Sequence, residues 1–340
     1  MPHVRLPAEW EPVGAVLMAW PRSAGDWAPH LGPARATVGA IARAIAPHAQ
    51  VIMLSDEPAS LAALVDELTP RLTVIELKTN DTWTRDYGPI TVLVEGSPQL
   101  LDFGFNGWGL KFPADLDNQV TTRLADQGVF GQTPIVRPGL WLEGGSIESD
   151  GAGTLLTTRH CLLSPNRNPH LTRASIETQL ARWLGIRRTL WLEQGPLEGD
   201  DTDGHIDTLA RLCPDSTIAY VDCDDPRDAH YPAFKTMRAQ LESFRTVAGG
   251  NYRLVPLPWP RERVAADGHR LPVTYANFLV VNEAVLAPTY DDPPTDARAL
   301  EALSVAFPHH EIIGIDCRAL VEQHGSLHCM TMQIPRQVFA

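Results

Sequence analysis

A repeated pattern of strand, loop, helix and strand is the feature that most constrains the fold of this chain. Apolar residues at three- and four-residue spacing predict the helices, and short β-branched runs predict the strands. Four copies are clear, at 15–19, 34–46 and 51–54; at 154–157, 172–184 and 189–192; at 217–221, 231–244 and 252–255; and at 284–288, 295–307 and 311–315. A fainter fifth copy runs from 90–93 through 116–125 to 134–136.

Another strand precedes most copies across a tight turn. These leading strands are expected at 146–149, 205–212 and 275–281, and the Asp150-Gly151 dipeptide after the first of them is a strong hairpin signal. The first clear copy has no leading strand, but the chain ends in a strand expected at 326–334. In the simplest solution every unit reads ββαβ, and the last strand completes the first unit.

This solution predicts an α/β fold with five blade-like units of pseudo-fivefold symmetry, in a ring closed by the C-terminal strand. Because no single unit can bury both of its faces, residues 1–340 are expected to form one domain. An ordinary α/β protein of two domains is the alternative that the pattern leaves open.

The charge balance narrows the class of ligand. The 340-residue chain has a formal net charge of −13 and no basic stripe, which argues against nucleic acid as a partner. An acidic surface is compatible with attracting a cationic small molecule, and equally with a role in solubility alone.

The cysteines and the apolar runs bear on the compartment. The five cysteines are widely spaced and contain no CxxC pair, so a disulfide framework or a structural zinc site is not expected, and a reducing cytoplasm is the natural location. No run approaches the ~18 apolar residues of a membrane-spanning helix. The first apolar run, 15–20, is too short for a signal peptide, so none is expected, nor a membrane partner.

Polar motifs lie at or beside the leading strands. In a closed ring the equivalent strand ends converge on the central axis, so carboxylates, a histidine and a thiol distant in sequence would meet at one mouth. The motifs are 83–86 (Trp-Thr-Arg-Asp), 143–146 (Glu-Gly-Gly-Ser), 203–207 (Asp-Gly-His-Ile-Asp) and 325–329 (Gly-Ser-Leu-His-Cys).

Each motif also has a plain structural interpretation. His205 and Asp207, two apart on an expected strand, would point to one face as a ligand-binding pair, but such a pair also suits a metal ion or a packed core. Asp86 and Glu143 precede glycines and could be turn residues, although paired glycines also allow close approach to a ligand. Cys329 could be a buried apolar cysteine.

The remaining candidates divide in the same way. Trp108 is a candidate wall for a cation or an alkyl chain, with core packing as the alternative. The loop 166–169 (Asn-Arg-Asn-Pro) is expected to bond its own backbone, and Arg85 to be held by neighbouring acids. Cys161, Cys213, Cys223 and Cys317 have no catalytic-type motif beside them and are expected to be structural.

Taken together, these motifs resemble the agmatine deiminase family, which includes bacterial peptidyl-arginine deiminases. The resemblance runs essentially from end to end, with the motifs in the family's order. It is carried by 7–12 (PAEWEP), 80–89 (NDTWTRDYGP), 142–146 (LEGGS), 166–170 (NRNPH), 202–207 (TDGHID), 275–278 (YANF) and the His328-Cys329 pair.

The resemblance implies the pentein fold, a fivefold pseudo-symmetric α/β propeller, and catalysis without a metal or cofactor. By position it implies that Cys329 is the nucleophile and His205 the general acid and base. Asp86 and Asp207 would bind the guanidinium group, with Glu143 beside the histidine. The rest of the substrate would be contacted by Trp83, Trp108 and Asp201.

Three departures from the family pattern bear on the substrate tail. The segment 109–113 is short where familiar agmatine deiminases carry an insertion. Residues 324–327 (His-Gly-Ser-Leu) replace a frequent Gly-Gly-Asn before the final His-Cys pair, and Thr208 replaces a frequent Asn. The expected reaction is hydrolysis of agmatine to N-carbamoylputrescine and ammonia through a covalent amidino-cysteine.

Several alternatives stay open at this point. Peptidyl-arginine or another guanidine could be the substrate, the fold could serve as a non-catalytic binding module, or His205, Asp207 and Cys329 could hold a metal for a hydrolase. Family analogy allows a homodimer or a higher homo-oligomer.

Overall fold

A computed structural model describes residues 3–340. Its strands are β1 Val4–Arg5, β2 Val13–Ala19, β3 Gln50–Ser55, β4 Leu72–Glu76, β5 Ile90–Val94, β6 Ser97–Leu101, β7 Ile135–Val136, β8 Ile147–Ser149, β9 Thr154–Thr158, β10 Arg188–Leu192, β11 Ala210–Cys213, β12 Thr217–Asp222, β13 Arg253–Pro258, β14 Leu279–Val281, β15 Ala284–Thr289, β16 Glu311–Asp316 and β17 Met332–Pro335. Its α-helices are α1 Leu31–Ile45, α2 Ala62–Leu68, α3 Thr84–Tyr87, α4 Gly107–Leu110, α5 Val120–Asp126, α6 Arg159–Leu162, α7 Arg173–Leu184, α8 Tyr231–Ser243, α9 Pro293–Ala306 and α10 Arg318–Val321. Short 3-10 helices span Ala28–His30, Pro58–Leu61, Asp117–Gln119, Gly144–Ser146, Ile206–Thr208 and Arg336–Phe339.

The strands form five sheets with one shared pattern. In strand order the sheets are β1-β5-β6-β7, β10-β9-β8, β11-β12-β13, β14-β15-β16 and β17-β2-β3-β4. Each contains an antiparallel pair followed by a parallel pair, as in β11-β12 and β12-β13. Helices α1, α5, α7, α8 and α9 each connect two parallel neighbours. The predicted ββαβ unit is therefore confirmed in all five sheets.

The two ends of the chain meet in one sheet. Strand β17 pairs antiparallel with β2, with Met332 opposite Leu17 and Ile334 opposite Ala15. The predicted pairing of the last strand with the first unit is confirmed. The fold is a mixed α/β fold, and one apolar cluster of buried side chains draws on all five sheets.

Helix α7 shows why these segments form these elements. Thr172 caps its N-terminus by accepting a hydrogen bond from the Ser175 N–H. Ile176, Leu180 and Leu184 are buried on one face. Gly185 ends the helix at φ 69°, and a side chain there would meet the Val4 carbonyl oxygen at 1.9 Å, so glycine is required.

The structure corrects several predicted strands near the motifs. Residues 205–212 do not form one strand: Ile206–Thr208 is a 3-10 turn, and β11 begins only at Ala210. Cys329 lies in a turn before β17, because the Met330 and Thr331 N–H groups bond back to Leu327 and His328. The segment 90–93 is itself a leading strand, paired with the unpredicted strand β6. Strand β4 was also not predicted.

These corrections place the polar motifs in turns, outside the regular strands. In such turns, neighbouring side chains can point toward one site, whereas a pleated strand would place them on alternate faces. Among residues 3–340, no helix is long and apolar enough to cross a membrane.

Candidate active site

The predicted motifs come together around one glycine. A Cβ built on Gly145 would lie 2.6 Å from His205 Nδ1, 2.9 Å from Asp86 Oδ1 and 3.0 Å from Asp207 Oδ2. Three polar atoms from distant parts of the chain therefore surround a single point. Any side chain at Gly145 would displace them, which explains the glycine at this position.

Cys329 lies at the edge of this group. Its Sγ is 3.9 Å from Asp207 Oδ2 and 3.2 Å from the amide nitrogen of Asn277. The Asn277 side chain also accepts a hydrogen bond from the Cys329 N–H, which fixes the turn that carries the thiol. Cys329 is 7% exposed and Asp207 is fully buried, so the site is almost closed to solvent.

His205 is fully buried, and neither ring nitrogen has a hydrogen-bond partner within residues 3–340. Its Nδ1 is 3.6 Å from Asp86 Oδ1, and its Nε2 is 3.8 Å from Glu143 Oε2. Burial lowers the pKa of His205, but Asp86, Cys161 and Glu143 outweigh it and raise that pKa well above its usual value. These neighbours therefore favour the protonated imidazole.

Asp86 is oriented by two donors. The Gly145 N–H donates to its Oδ1 and the Trp108 indole N–H donates to its Oδ2, at 2.9 and 3.0 Å. Burial raises the pKa of Asp86, while His205 opposes that rise. Trp108 has a left-handed backbone at φ 54°, between two glycines of positive φ, and this turn directs the indole at the carboxylate.

Glu143 is held by Arg167. The Arg167 Nε donates to both Glu143 carboxylate oxygens, at 2.9 and 2.8 Å, and its Nη1 pairs with Asp203 at 2.6 Å. Burial raises the pKa of Glu143, but Arg167 and His205 outweigh it and the net pKa is lowered. Glu143 is thus a fixed anion beside His205. The segment 166–169 was expected to bond only its own backbone, which is wrong for Arg167.

The surroundings of Cys329 favour its neutral thiol. Burial, followed by the Asp207 and Asp86 carboxylates, raises the pKa of Cys329 well above its usual value. Two anions beside a thiol disfavour a third. A cation between the carboxylates would therefore favour the thiolate.

In the part of the chain that the structure describes, two three-residue groups have atoms close enough to hold a metal ion. They are Glu143, Cys161 and His205, and Glu9, Glu148 and His328. In each group an arginine donates to the glutamates: Arg167 to Glu143, and Arg211 to Glu9 and Glu148. A fixed guanidinium beside the carboxylate disfavours a second cation there, so neither group is well suited to a metal.

The other predicted contacts lie farther out. Trp83 is buried, with its ring against Gly325 and 5.7 Å from the Trp27 ring. Asp201 is partly buried, and burial and Asp200 raise its pKa. Burial raises the pKa of Asp81 to about 6, with smaller contributions from Asp26 and Asp201, so these three acids form a cluster.

Four neighbours of the site were missed as functional candidates. Arg167, Asn277 and His328 were named only within motifs, and Cys161 was expected to be structural, yet its Sγ lies 4.0 Å from Glu143 Oε2. For Arg167, Asn277 and His328, the only signal in the sequence was their position in 166–170, in 275–278 and beside Cys329. Cys161 lies in none of these motifs.

Comparison with known proteins gives the family. Residues 5–335 match the family model described as Porphyromonas-type peptidyl-arginine deiminase. The chain belongs to this family. It is also 35% identical over 354 residues to the agmatine deiminase of Pseudomonas syringae pv. tomato, covering 97% of this chain and 95% of that protein.

Solved structures of family members share the fold. A Porphyromonas gingivalis protein provisionally named an arginine deiminase has 47% identity and a TM-score of 0.93, over 98% of this chain and 99% of that chain. The C. jejuni agmatine deiminase, solved as a cysteine-to-serine variant with substrate bound, has 35% identity and a TM-score of 0.90, over 97% and 96%.

Proposed function

We propose that this chain is a deiminase that hydrolyses the guanidinium group of agmatine to N-carbamoylputrescine and ammonia. The observation that carries the proposal is the pair of buried carboxylates, Asp86 and Asp207, beside the Cys329 thiol. Asp207 Oδ1 has no hydrogen-bond partner although it is buried. A planar cation with several N–H groups would satisfy that oxygen and neutralise both acids.

The chemistry follows from the charges. The bound guanidinium offsets the carboxylates that raise the Cys329 pKa, so the thiol can release its proton to solvent as substrate binds. The thiolate attacks the guanidinium carbon and forms a tetrahedral adduct. Protonated His205 donates its proton to one terminal nitrogen, the C–N bond breaks, and ammonia leaves. An S-alkylthiouronium remains on Cys329.

Hydrolysis reverses the role of the histidine. Neutral His205 removes one proton from water as the oxygen attacks the thiouronium carbon. The C–S bond then breaks to release the thiolate, and the remaining hydroxyl proton leaves to solvent as the ureido carbonyl forms. Glu143, fixed by Arg167, orients and stabilises the imidazolium in each half-reaction, as the third member of a triad does.

The acids at the outer end favour agmatine over free arginine. Asp201 contributes to the raised pKa of Asp81, and these two acids suit the terminal ammonium of agmatine. Trp108 would border the substrate beside Asp86. Trp83 packs on Gly325 and against Trp27, and this aromatic pair would border the substrate tail.

Arginine in a peptide is the second candidate. Lys111 Nζ donates to the Asp201 carbonyl and pairs with Asp203 Oδ1 at 2.7 Å, which puts a cation beside the acid cluster. That cation weakens the attraction for an ammonium and suits a neutral or carbonyl-bearing tail.

Architecture and setting complete the proposal. We infer that the five ββαβ units surround one axis as a pentein-type propeller, and that residues 1–340 act as one catalytic domain without a metal or cofactor. The five free cysteines suit a reducing cytoplasm.

Ammonia release tests the activity. The purified protein is assayed with agmatine, arginine, an arginine-containing peptide and methylated arginine, beside its Cys329→Ala variant. Agmatine should give the highest kcat/KM, and the variant should bind agmatine without releasing ammonia. Turnover by Cys329→Ala, or no turnover of any guanidine by the wild type, would refute the mechanism.

A further inference from the structure

A chain of hydrogen bonds links the first loop of the protein to the carboxylate beside the thiol. His328 Nδ1 lies 2.8 Å from Asp207 Oδ2, and His328 Nε2 lies 2.7 Å from Glu9 Oε2. Glu9, His328 and Asp207 are 9%, 1% and 0% exposed, so solvent does not weaken these contacts. The sequence motif around Glu9 has no role in the mechanism above.

The contact with His328 occupies one of the two carboxylate oxygens of Asp207. An ionised carboxylate only accepts hydrogen bonds, so His328 Nδ1 must carry the proton that it shares with Oδ2. The pKa of Asp207 is lowered, because its hydrogen bond from His328 and the His328 charge outweigh burial. Among residues 3–340, Oδ1 has no hydrogen-bond partner, so it can still accept a hydrogen bond from a guanidinium.

Glu9 in turn has a fixed position. Its Oε1 accepts the Val280 N–H at 2.8 Å, and its Oε2 accepts from Arg211 Nη2 at 2.9 Å. Arg211 is itself 1% exposed and donates to the Ala276 carbonyl at 3.1 Å. A glutamate bound at both oxygens cannot rotate to follow the imidazole, so it holds the ring plane of His328.

We propose that His328 and Glu9 are positioning residues for guanidinium binding: His328 turns Asp207 so that Oδ1 faces the substrate, and Glu9 fixes the ring of His328. Neither residue is assigned contact with the substrate. The inference rests on the proposed function, because it requires Asp207 to bind a guanidinium.

Two substitutions at one position separate this role from simple packing. The side-chain nitrogen of asparagine can take the place of Nδ1, and that of glutamine the place of Nε2. His328→Asn should keep the donation to Asp207, whereas His328→Gln should lose it and keep only the contact with Glu9. A hydrogen bond to a charged group contributes about 1.5–3 kcal/mol, which corresponds to roughly 10- to 150-fold in affinity.

The expected result is a split in KM. His328→Gln should raise the KM for agmatine about 30-fold or more, with a smaller change in kcat, and His328→Asn should stay within about threefold of the wild-type KM. Binding of agmatine to the same variants in a Cys329→Ala background should show the same order. Equal KM values for the two variants, or the reverse order, would overturn the proposal.

A second pair keeps the test decisive if either His328 variant fails to fold. Glu9→Gln removes the charge next to His328. Glu148→Gln makes the same change in a neighbouring glutamate that also pairs with Arg211; within residues 3–340, Glu148 has no hydrogen bond to His328. Both variants should have a lower melting temperature than the wild type. Only Glu9→Gln should raise the KM for agmatine, by about threefold to tenfold. The same KM for both variants contradicts the role of Glu9.

Failure of the inference and failure of the proposed function give different results. If wild-type protein releases no ammonia from agmatine, the proposed function is wrong. If it does so, and the variants do not separate, only the positioning role is wrong.

Discussion

Two buried histidines lie near the proposed reaction centre, and they differ in how their nitrogens are satisfied. His328 has a carboxylate oxygen within 2.8 Å of each nitrogen. His205 has none within hydrogen-bond distance, and the nearest oxygens are at 3.6 and 3.8 Å. Each lies next to a glutamate that a buried arginine holds, Glu9 beside His328 and Glu143 beside His205.

The difference separates a positioning group from a reacting one. A buried polar atom without a partner costs free energy, and native proteins keep few of them outside functional sites. His205 retains two such atoms beside Asp207 Oδ1, which is also unpartnered. The satisfied histidine can orient a neighbour but has no free position for a substrate proton.

Replacing the unsatisfied histidine should have the largest effect on turnover. His205→Gln removes the proposed acid and base, and kcat for agmatine should fall about 10³-fold or more. His205→Gln also removes a buried cation that Asp86 and Glu143 stabilise, so the thermal midpoint should fall, and kcat is compared on protein that is still folded. The exposed His309→Gln is the control and should change neither quantity. A His205→Gln protein that turns over agmatine would remove the contrast between the two histidines.

Much of the fold could be predicted from the sequence, because helix periodicity and β-branched runs are local signals. The strands 15–19 and 51–54 and the helix 172–184 agree with β2, β3 and α7 to within two residues. The pairing of β17 with β2 followed from counting strands. The turn at Cys329 was predicted as strand, because Leu327, Met330 and Met332 give an apolar run whether the backbone is extended or turned.

The candidate site was predictable only in part, for a related reason. The structure brings together the five residues Asp86, Glu143, His205, Asp207 and Cys329, although their catalytic roles stay a proposal. Arg167 and His328 depend on partners 24 and 121 residues away, a relation that no local pattern carries. Both resemble ordinary loop or core residues until the turns fold.

The buried cluster of Arg211, Glu9 and Glu148 should matter more for the stability of the protein than for its chemistry. Arg211→Met leaves Glu9 and Glu148 without their shared cation in a buried site, which should cost about 3–5 kcal/mol of unfolding free energy. Urea denaturation measures the change. Arg227→Met removes an exposed ion pair with Asp225 and should leave the urea midpoint unchanged. A loss at Arg211 no larger than at Arg227 would mean that the buried glutamates find other partners.

The smallest expected effect concerns the thiol of Cys329. Because the Cys329 pKa is raised, thiolate is scarce at neutral pH and becomes more abundant only as the pH increases. Alkylation of Cys329 by neutral chloroacetamide should therefore be slow at pH 7.5 and accelerate up to pH 10. Cationic chloroacetamidine places a planar charge between Asp86 and Asp207, offsets the anions that raise the pKa, and should react about 100-fold faster at pH 7.5.

The preference is measured against the rates of both reagents with a free small-molecule thiol, and the labelled residue is identified by peptide mass. The ratio should shrink towards pH 10, because the neutral reagent then meets a thiolate that no longer needs the cation. Asp207→Asn should also reduce it, since one of the two anions is removed. A ratio that is near one at pH 7.5, or a neutral reagent whose rate does not change with pH, would mean that the thiol is ionised before any cation arrives. In that case the two carboxylates would serve binding alone, and protonated His205, rather than the substrate, would supply the charge that stabilises the thiolate.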